Sequence, residues 1–89
     1  MESDLLEQAK NRYVQLLPAL TSVQTKSIQK DLARMSKNCV NLLDEISKED
    51  VVCRQRKKVT AKYNELVNKY VEAVDVIEKY TMLAHLSGG

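Results

Sequence analysis

The side chains best suited to nucleophilic catalysis in this sequence are two cysteines, Cys39 and Cys53, and a single histidine, His85. A thiol becomes an effective nucleophile when a histidine within hydrogen-bond reach takes its proton. In the helical hairpin predicted below, both cysteines lie near the turn and His85 lies at the opposite end. We therefore expect no Cys–His pair and no enzymatic activity.

The same three residues are too few for a metal site built from Cys and His. Cys39 and Cys53 stand fourteen positions apart, without the two-residue spacing of zinc-binding motifs. Both fall on or beside apolar helical stripes, where a free cysteine packs as a small hydrophobic side chain. No glycine precedes Gly88, which excludes the glycine-rich loops that cradle nucleotide phosphates. We expect reduced thiols, no metal, no cofactor and no small-molecule substrate.

The sharpest local feature is a basic run at residues 54–58, with the letters RQRKK. The chain carries a formal net charge of +2, but residues 48–62 hold six basic side chains against Glu49 and Asp50. Such a segment attracts phosphates, acidic protein surfaces or anionic lipid. If residues 47–50 form a turn, two basic residues of the preceding helix lie opposite residues 60–63. The predicted basic patch then consists of Arg34, Lys37, Arg54, Lys57, Lys58 and Lys62.

The elements that position these groups are predicted to be helices. The 89 residues include 2 glycines and 1 proline, too few turn residues for an all-β domain. Hydrophobic residues at 44% argue against disorder, and charged residues at 29% argue against a membrane protein. No apolar run approaches the roughly 20 residues of a membrane span, and no secretion signal is visible. We expect an all-α chain without membrane insertion, intracellular in the cytoplasm or nucleus.

Apolar residues recur at steps of three and four, the helical period, in three segments. We predict helices at about 4–17, 22–46 and 49–86, followed by a flexible tail at 87–89. The first helix should stop or kink after Leu17, because Pro18 disfavours helical geometry in the residue before it. Thr21 and Gln24 have the spacing of a capping box that would begin the second helix. The third would be a long C-terminal helix.

Residues 47–50 decide the architecture, and two interpretations remain open. Ser47 followed by Asp50 resembles a capping box, and acidic residues suit the first turn of a helix, which favours a turn. However, nothing in this segment forbids a continuous helix. With the turn, the second and third helices form an antiparallel hairpin with coiled-coil-like packing. The same apolar seams would also serve an intertwined dimer.

The first helix has two possible places in the single helical domain that we predict at residues 1–86. It would either lie end-on to the second helix across a kink at Pro18, or fold back on the third to complete a three-helix bundle. The helix lengths favour the first arrangement, and the wide apolar face of the third helix favours the second. A chain this short has a thin core, so a partner would help to stabilise either one.

This wide apolar face is typical of a protein–protein contact. We expect a non-enzymatic helical interaction module, a small subunit or domain of a larger assembly, whose partner is a helical protein or a second copy in a homodimer. The expected anchors are Leu66, Val67, Tyr70, Val74, Ile77 and Tyr80. The alternative is a helical domain that contacts nucleic-acid phosphates through the basic patch around residues 54–62. No aromatic residue interleaves with the basic ones there, so stacking on single-stranded bases is not expected.

Overall fold

The computed structural model describes residues 2–86, with side chains from Asp4 onward, and these residues form three α-helices. The helices are α1 at Glu2–Thr21, α2 at Lys26–Arg56 and α3 at Ala61–Leu86. No strand occurs in this range. The predicted all-α fold is confirmed. The predicted tail at 87–89 lies outside the described residues.

Helix α3 lies between the other two helices and packs against both of them, whereas α1 and α2 contact each other little. It runs antiparallel to α2. Glu49 pairs with Thr60 near the turn that joins them, and Asp31 pairs with Tyr80 near the far end. The predicted antiparallel hairpin is therefore present.

Helix α1 folds back along a second face of α3 and runs parallel to it. The Arg12 side chain lies 2.5 Å from the Asp75 carboxylate and 2.8 Å from that of Glu78. Seven residues further along α1, the carbonyl oxygen of Ala19 lies 3.1 Å from Nε2 of His85. Of the two arrangements open for the first helix, the three-helix bundle is the one formed. The bundle is elongated, with dimensions of 50 × 20 × 17 Å.

One continuous core runs through the bundle, and α3 contributes the largest share of it. Its buried apolar residues are Tyr63, Leu66, Val67, Tyr70, Val74, Ile77 and Ala84. The buried face of α2 is narrower and consists of Leu32, Cys39, Leu42, Ile46 and Cys53 with Glu49. Each large apolar side chain fully buried in this way stabilises the fold by about 1.5–3 kcal/mol.

The turn of the hairpin lies at residues 57–60, so the prediction of a turn at 47–50 is wrong. Helix α2 continues because its buried face continues: Ile46, Glu49 and Cys53 all face the interior. The segment also lacks glycine and proline, the residues that end helices most effectively. Consequently α2 has 31 residues and is the longest helix, while α3 has 26 and begins at Ala61 rather than near 49.

Helix α2 ends through its backbone at Lys57, which adopts the left-handed conformation with φ 56°. The N–H of Lys57 donates to the carbonyl of Arg54, and the N–H of Lys58 donates to the carbonyl of Cys53. These two bonds form the Schellman motif, which satisfies carbonyl groups that a helix end leaves free. The motif usually places glycine at the left-handed position, and the lysine here gave no sequence signal for it.

Helix α1 continues through Pro18 to Thr21, so the predicted end at Leu17 is wrong. A proline inside a helix removes one backbone hydrogen bond. The turn that follows it is closed by two donors to the Pro18 carbonyl, the Ser22 N–H at 3.2 Å and the Thr21 hydroxyl at 3.0 Å. Because Thr21 belongs to α1, the predicted capping box does not form, and α2 begins at Lys26 instead of near 22.

Candidate interaction surfaces

Five of the six residues predicted to bind a partner lie inside the bundle rather than on its surface. These five are at most 5% exposed: Leu66, Val67, Tyr70, Val74 and Ile77. The sixth, Tyr80, is half-buried, and its hydroxyl donates a hydrogen bond to Oδ2 of Asp31 at 2.7 Å. The five buried positions are therefore not available as a partner-facing surface in the folded chain. The physical reason is that α1 folds back and covers the part of the apolar face of α3 that α2 leaves uncovered.

Tyr70 is the largest fully buried side chain of this core, with 1% of its surface exposed. Burial raises the pKa of Tyr70 to about 12, and the neighbouring acids Cys39 and Tyr13 add to the shift. Burial also raises the pKa of the Cys39 thiol, which keeps it in the unreactive protonated form. These side chains therefore act as packing residues.

The predicted basic patch is split into two parts by the true position of the turn. Nη2 of Arg34 lies 3.2 Å from Oδ1 of Asp31. The hydrogen bond to Asp31 raises the pKa of Tyr80, and the charge of the nearby Arg34 opposes this shift. Arg34 and Lys37 therefore stand about 30 Å and 25 Å from Arg54 along α2, at 1.5 Å per residue. Their inclusion in one patch with residues 54–62 is wrong, because it assumed the register of a turn at 47–50.

The remaining basic residues form a cluster at the end of the α2–α3 hairpin. This cluster, the basic tip, consists of Arg54, Arg56, Lys57, Lys58 and Lys62. Arg54 forms an ion pair with Asp50 at 3.0 Å, and Lys62 lies 4.0 Å from Glu49. The other three cations are exposed and make no ion pair with any residue in the described part of the chain. Arg56 belongs to this exposed group.

Thr60 holds the basic tip in place by joining the two helices of the hairpin. Its Oγ1 accepts a hydrogen bond from the N–H of Tyr63 at 3.1 Å, which caps the N-terminus of α3. The same hydroxyl donates to Oε2 of Glu49 at 2.7 Å, and the Thr60 N–H donates to Sγ of Cys53 at 3.5 Å. The backbone of the tip is therefore ordered by bonds to α2 on one side and α3 on the other.

A second surface lies at the opposite end of the molecule, between the C-terminal ends of α1 and α3. This C-terminal groove has a volume of about 290 Å³ and an entirely apolar exposed lining. Its walls are formed by Leu16, Ala19, Thr81, Met82, His85 and Leu86. Met82 is 57% exposed and Leu86 is 80% exposed. The groove therefore presents apolar surface that no residue of the described chain covers.

His85 fixes the end of α1 against α3 and so shapes the C-terminal groove. Its Nε2 lies 3.1 Å from the Ala19 carbonyl oxygen and 3.3 Å from Oγ of Ser22. Because a carbonyl oxygen only accepts, we assign the proton to Nε2, which donates to it. The Ser22 hydroxyl donates to the same carbonyl at 2.9 Å.

The prediction from sequence missed the C-terminal groove, although a signal for it was present. Met82 and Leu83 fall between Tyr80 and Ala84, which face the bundle, so the last turns of α3 carry apolar residues on the outer side as well as on the inner side. Such residues are single and scattered on an ordinary surface. Their concentration within one stretch of helix was the feature that distinguished this region.

The described part of the chain was searched for metal sites and membrane spans. Residues 2–86 contain no group of three or more His, Cys, Asp or Glu side chains placed to hold a metal ion. Within the same residues, no helix has both the length and the apolar character needed to cross a bilayer.

The sequence and the fold were compared with known proteins. No protein-family model, curated protein or solved structure matches the chain.

Proposed function

We propose that this chain is a non-enzymatic helical interaction module that binds an amphipathic helix of another protein in the C-terminal groove. The observation that carries the proposal is the exposed apolar surface of that groove. Met82 and Leu86 are each more than half exposed beside a lining without polar surface. Contiguous exposed apolar surface of this kind is typical of sites of protein contact.

The shape of the groove favours a helix as its occupant. Helices α1 and α3 run parallel, and the groove lies between their C-terminal ends. A helix seated there can place apolar residues spaced by three and four positions against both walls. Covering Met82 or Leu86 in this way would contribute up to about 1.5–3 kcal/mol each before the cost of association. The partner would therefore need several such contacts, from both walls of the groove.

The charges that border the groove would select the partner and its orientation. Arg12 precedes Leu16 by one helical turn, and Glu78 precedes Met82 by one turn. The ion pairs of Arg12 with Asp75 and Glu78 therefore lie beside the groove at its inner end. Charged groups at the rim of an apolar contact contribute more to specificity than to affinity.

The positions of the reactive side chains support the non-enzymatic part of the proposal. Cys39 and Cys53 are buried. Tyr70 neighbours Cys39 and stands fifteen residues before His85 on α3, a distance of roughly 20 Å. Cys39 is therefore well separated from the histidine. Both cysteines are free thiols, which suits the reducing interior of the cell, the cytoplasm or nucleus, as the place of action.

The first experiment distinguishes a different protein from a second copy as the occupant of the groove. We expect light scattering to report a monomer near 10.1 kDa, both for the native chain and for the variants Met82→Glu and Val40→Glu. Val40 is the matched control, since it is 58% exposed on α2. A stable dimer that only Met82→Glu dissociates would contradict the proposal, because a second copy would then fill the groove.

A further inference from the structure

We propose that the basic tip binds the phosphate backbone of a nucleic acid, a function separate from that of the C-terminal groove. Residues 51–64 contain five basic side chains and no acidic one. They surround the turn at 57–60, at the narrow end of a bundle whose cross-section is 20 × 17 Å. A cluster of positive charge therefore lies at one end of the molecule.

The acidic residues near the basic tip leave most of this charge uncompensated. Asp50 is paired with Arg54, and both line a depression that also includes Glu7 of α1. Glu49 is only 9% exposed, accepts the Thr60 hydroxyl and lies 4.0 Å from Lys62. The cations that remain are Arg56, Lys57 and Lys58. Three neighbouring positive charges at one turn form the kind of surface that attracts a polyanion.

The backbone that carries these cations is already ordered. Lys57 and Lys58 donate their N–H groups to carbonyls of α2, and Thr60 is bonded to both helices. Binding therefore orders side chains but does not need to order a loop, which lowers its entropic cost. A polyanion would meet a preformed positive end rather than a flexible basic tail.

The extended charge of a nucleic acid favours it over an acidic protein as the occupant of the basic tip. A guanidinium binds carboxylate and phosphate alike by two parallel hydrogen bonds, and one of the two arginines at the tip already holds Asp50. A lysine ammonium is a compact point charge that contacts phosphate oxygens without matched geometry. A nucleic acid also offers many phosphates in a row and gains free energy from counterion release. We expect contacts to the backbone and no readout of base sequence.

The test is the salt dependence of binding to a fluorescent DNA duplex of about 20 base pairs, measured by anisotropy at about 50 to 200 mM NaCl. We expect the logarithm of affinity to fall with the logarithm of salt concentration, with a slope of about −2 to −4. The double variant Lys57→Gln/Lys58→Gln should bind at least about tenfold more weakly at low salt, with the slope reduced by about 2. Thermal melting followed by circular dichroism checks that the variant is folded.

The matched control changes two exposed lysines of α2 away from the tip, Lys30→Gln/Lys37→Gln. This control should retain the native affinity, and so should Met82→Glu, which tests the groove separately. An equal loss in both lysine pairs would overturn the proposal, as would no binding at about 50 mM salt. Binding of polyglutamate or of phosphatidylserine vesicles as tight as that of the duplex, and equally dependent on Lys57 and Lys58, would overturn it as well. The tip would then serve acidic proteins or lipid instead.

Discussion

The hydroxyl of Thr60 donates a hydrogen bond across 2.7 Å to the buried carboxylate of Glu49, and this pair ties the start of α3 to α2. The same oxygen accepts the N–H of Tyr63 and so caps α3. One hydroxyl thus satisfies a free helix donor and a buried charge together. Both partners would be costly to leave unpaired. The geometry of the basic tip depends on this bond.

Replacing Thr60 by valine should lower the free energy of unfolding by about 2 kcal/mol. The variant loses the cap of α3, which contributes about 1 kcal/mol, and removes a hydrogen bond to a charged group. Urea denaturation measures the change. The control is Thr21→Val, because the Thr21 hydroxyl is exposed and bonds only the Pro18 carbonyl. Equal effects of the two substitutions would contradict the role given to Thr60.

Replacing Lys57 by glycine should stabilise the protein by about 0.5–1 kcal/mol. Lys57 has a φ of 56°, a conformation that glycine adopts without the steric penalty of a side chain. Lys58→Gly is the control, since Lys58 is not at positive φ. Glycine at this position only increases the conformational entropy that the chain loses on folding. We expect the melting temperature to rise for the first variant and to fall slightly for the second. The same direction for both would show that the turn differs from the one described.

Tyr70 should make stability depend on alkaline pH. Its pKa is raised to about 12 from an ordinary value near 10, so the folded state favours the protonated phenol. This contribution is fully present below about pH 10 and is lost as the pH rises towards 12. Tyr70→Phe should therefore lose less stability between pH 9 and pH 11 than the native chain, as measured by urea denaturation at about these two values. An identical loss in both proteins would place the alkaline transition elsewhere.

The ion pairs of Arg12 should contribute a modest, salt-sensitive part of the attachment of α1. Arg12 contacts both Asp75 and Glu78, but its side chain is 37% exposed. Partly exposed pairs of this kind contribute about 0.5–1 kcal/mol at low salt. We expect Arg12→Gln to cost that amount in about 0.1 M NaCl and little in about 1 M NaCl. Lys10→Gln, which removes a pair with Glu7 inside α1, should have almost no effect at either concentration.

The helical class and the buried face of α3 could be predicted from sequence, because apolar spacing reports directly which side of a helix is buried. The ends of the helices could not. Glu49 and Asp50 are acidic residues of the kind that favour the first turn of a helix. However, Glu49 continues the buried face of α2, and its partner Thr60 comes near it only in the folded hairpin. Pro18 is a residue that typically ends a helix. However, its carbonyl accepts hydrogen bonds from the next turn, which continues α1.

The two candidate surfaces show why sites are harder to predict than helices. A cluster within one turn, such as Lys57 and Lys58, is visible in the sequence because its members are neighbours in the chain. The placement of Arg34 depends on the register of the hairpin, and ten residues of error in the turn put it at the wrong end of α2. The C-terminal groove depends on how α1 packs, which brings Leu16 beside Met82.

Photo-cross-linking in cells tests the central claim, that the C-terminal groove holds a helix of another protein, most directly. A photoreactive benzoylphenylalanine would replace Met82 in one variant and Val40 in the control. We predict an adduct at position 82 only, lost when Leu16→Glu is added, with the linked peptide on the apolar face of an amphipathic helix. Equal adducts at both positions, an adduct with a second copy of the chain, or no adduct at position 82 would contradict the claim.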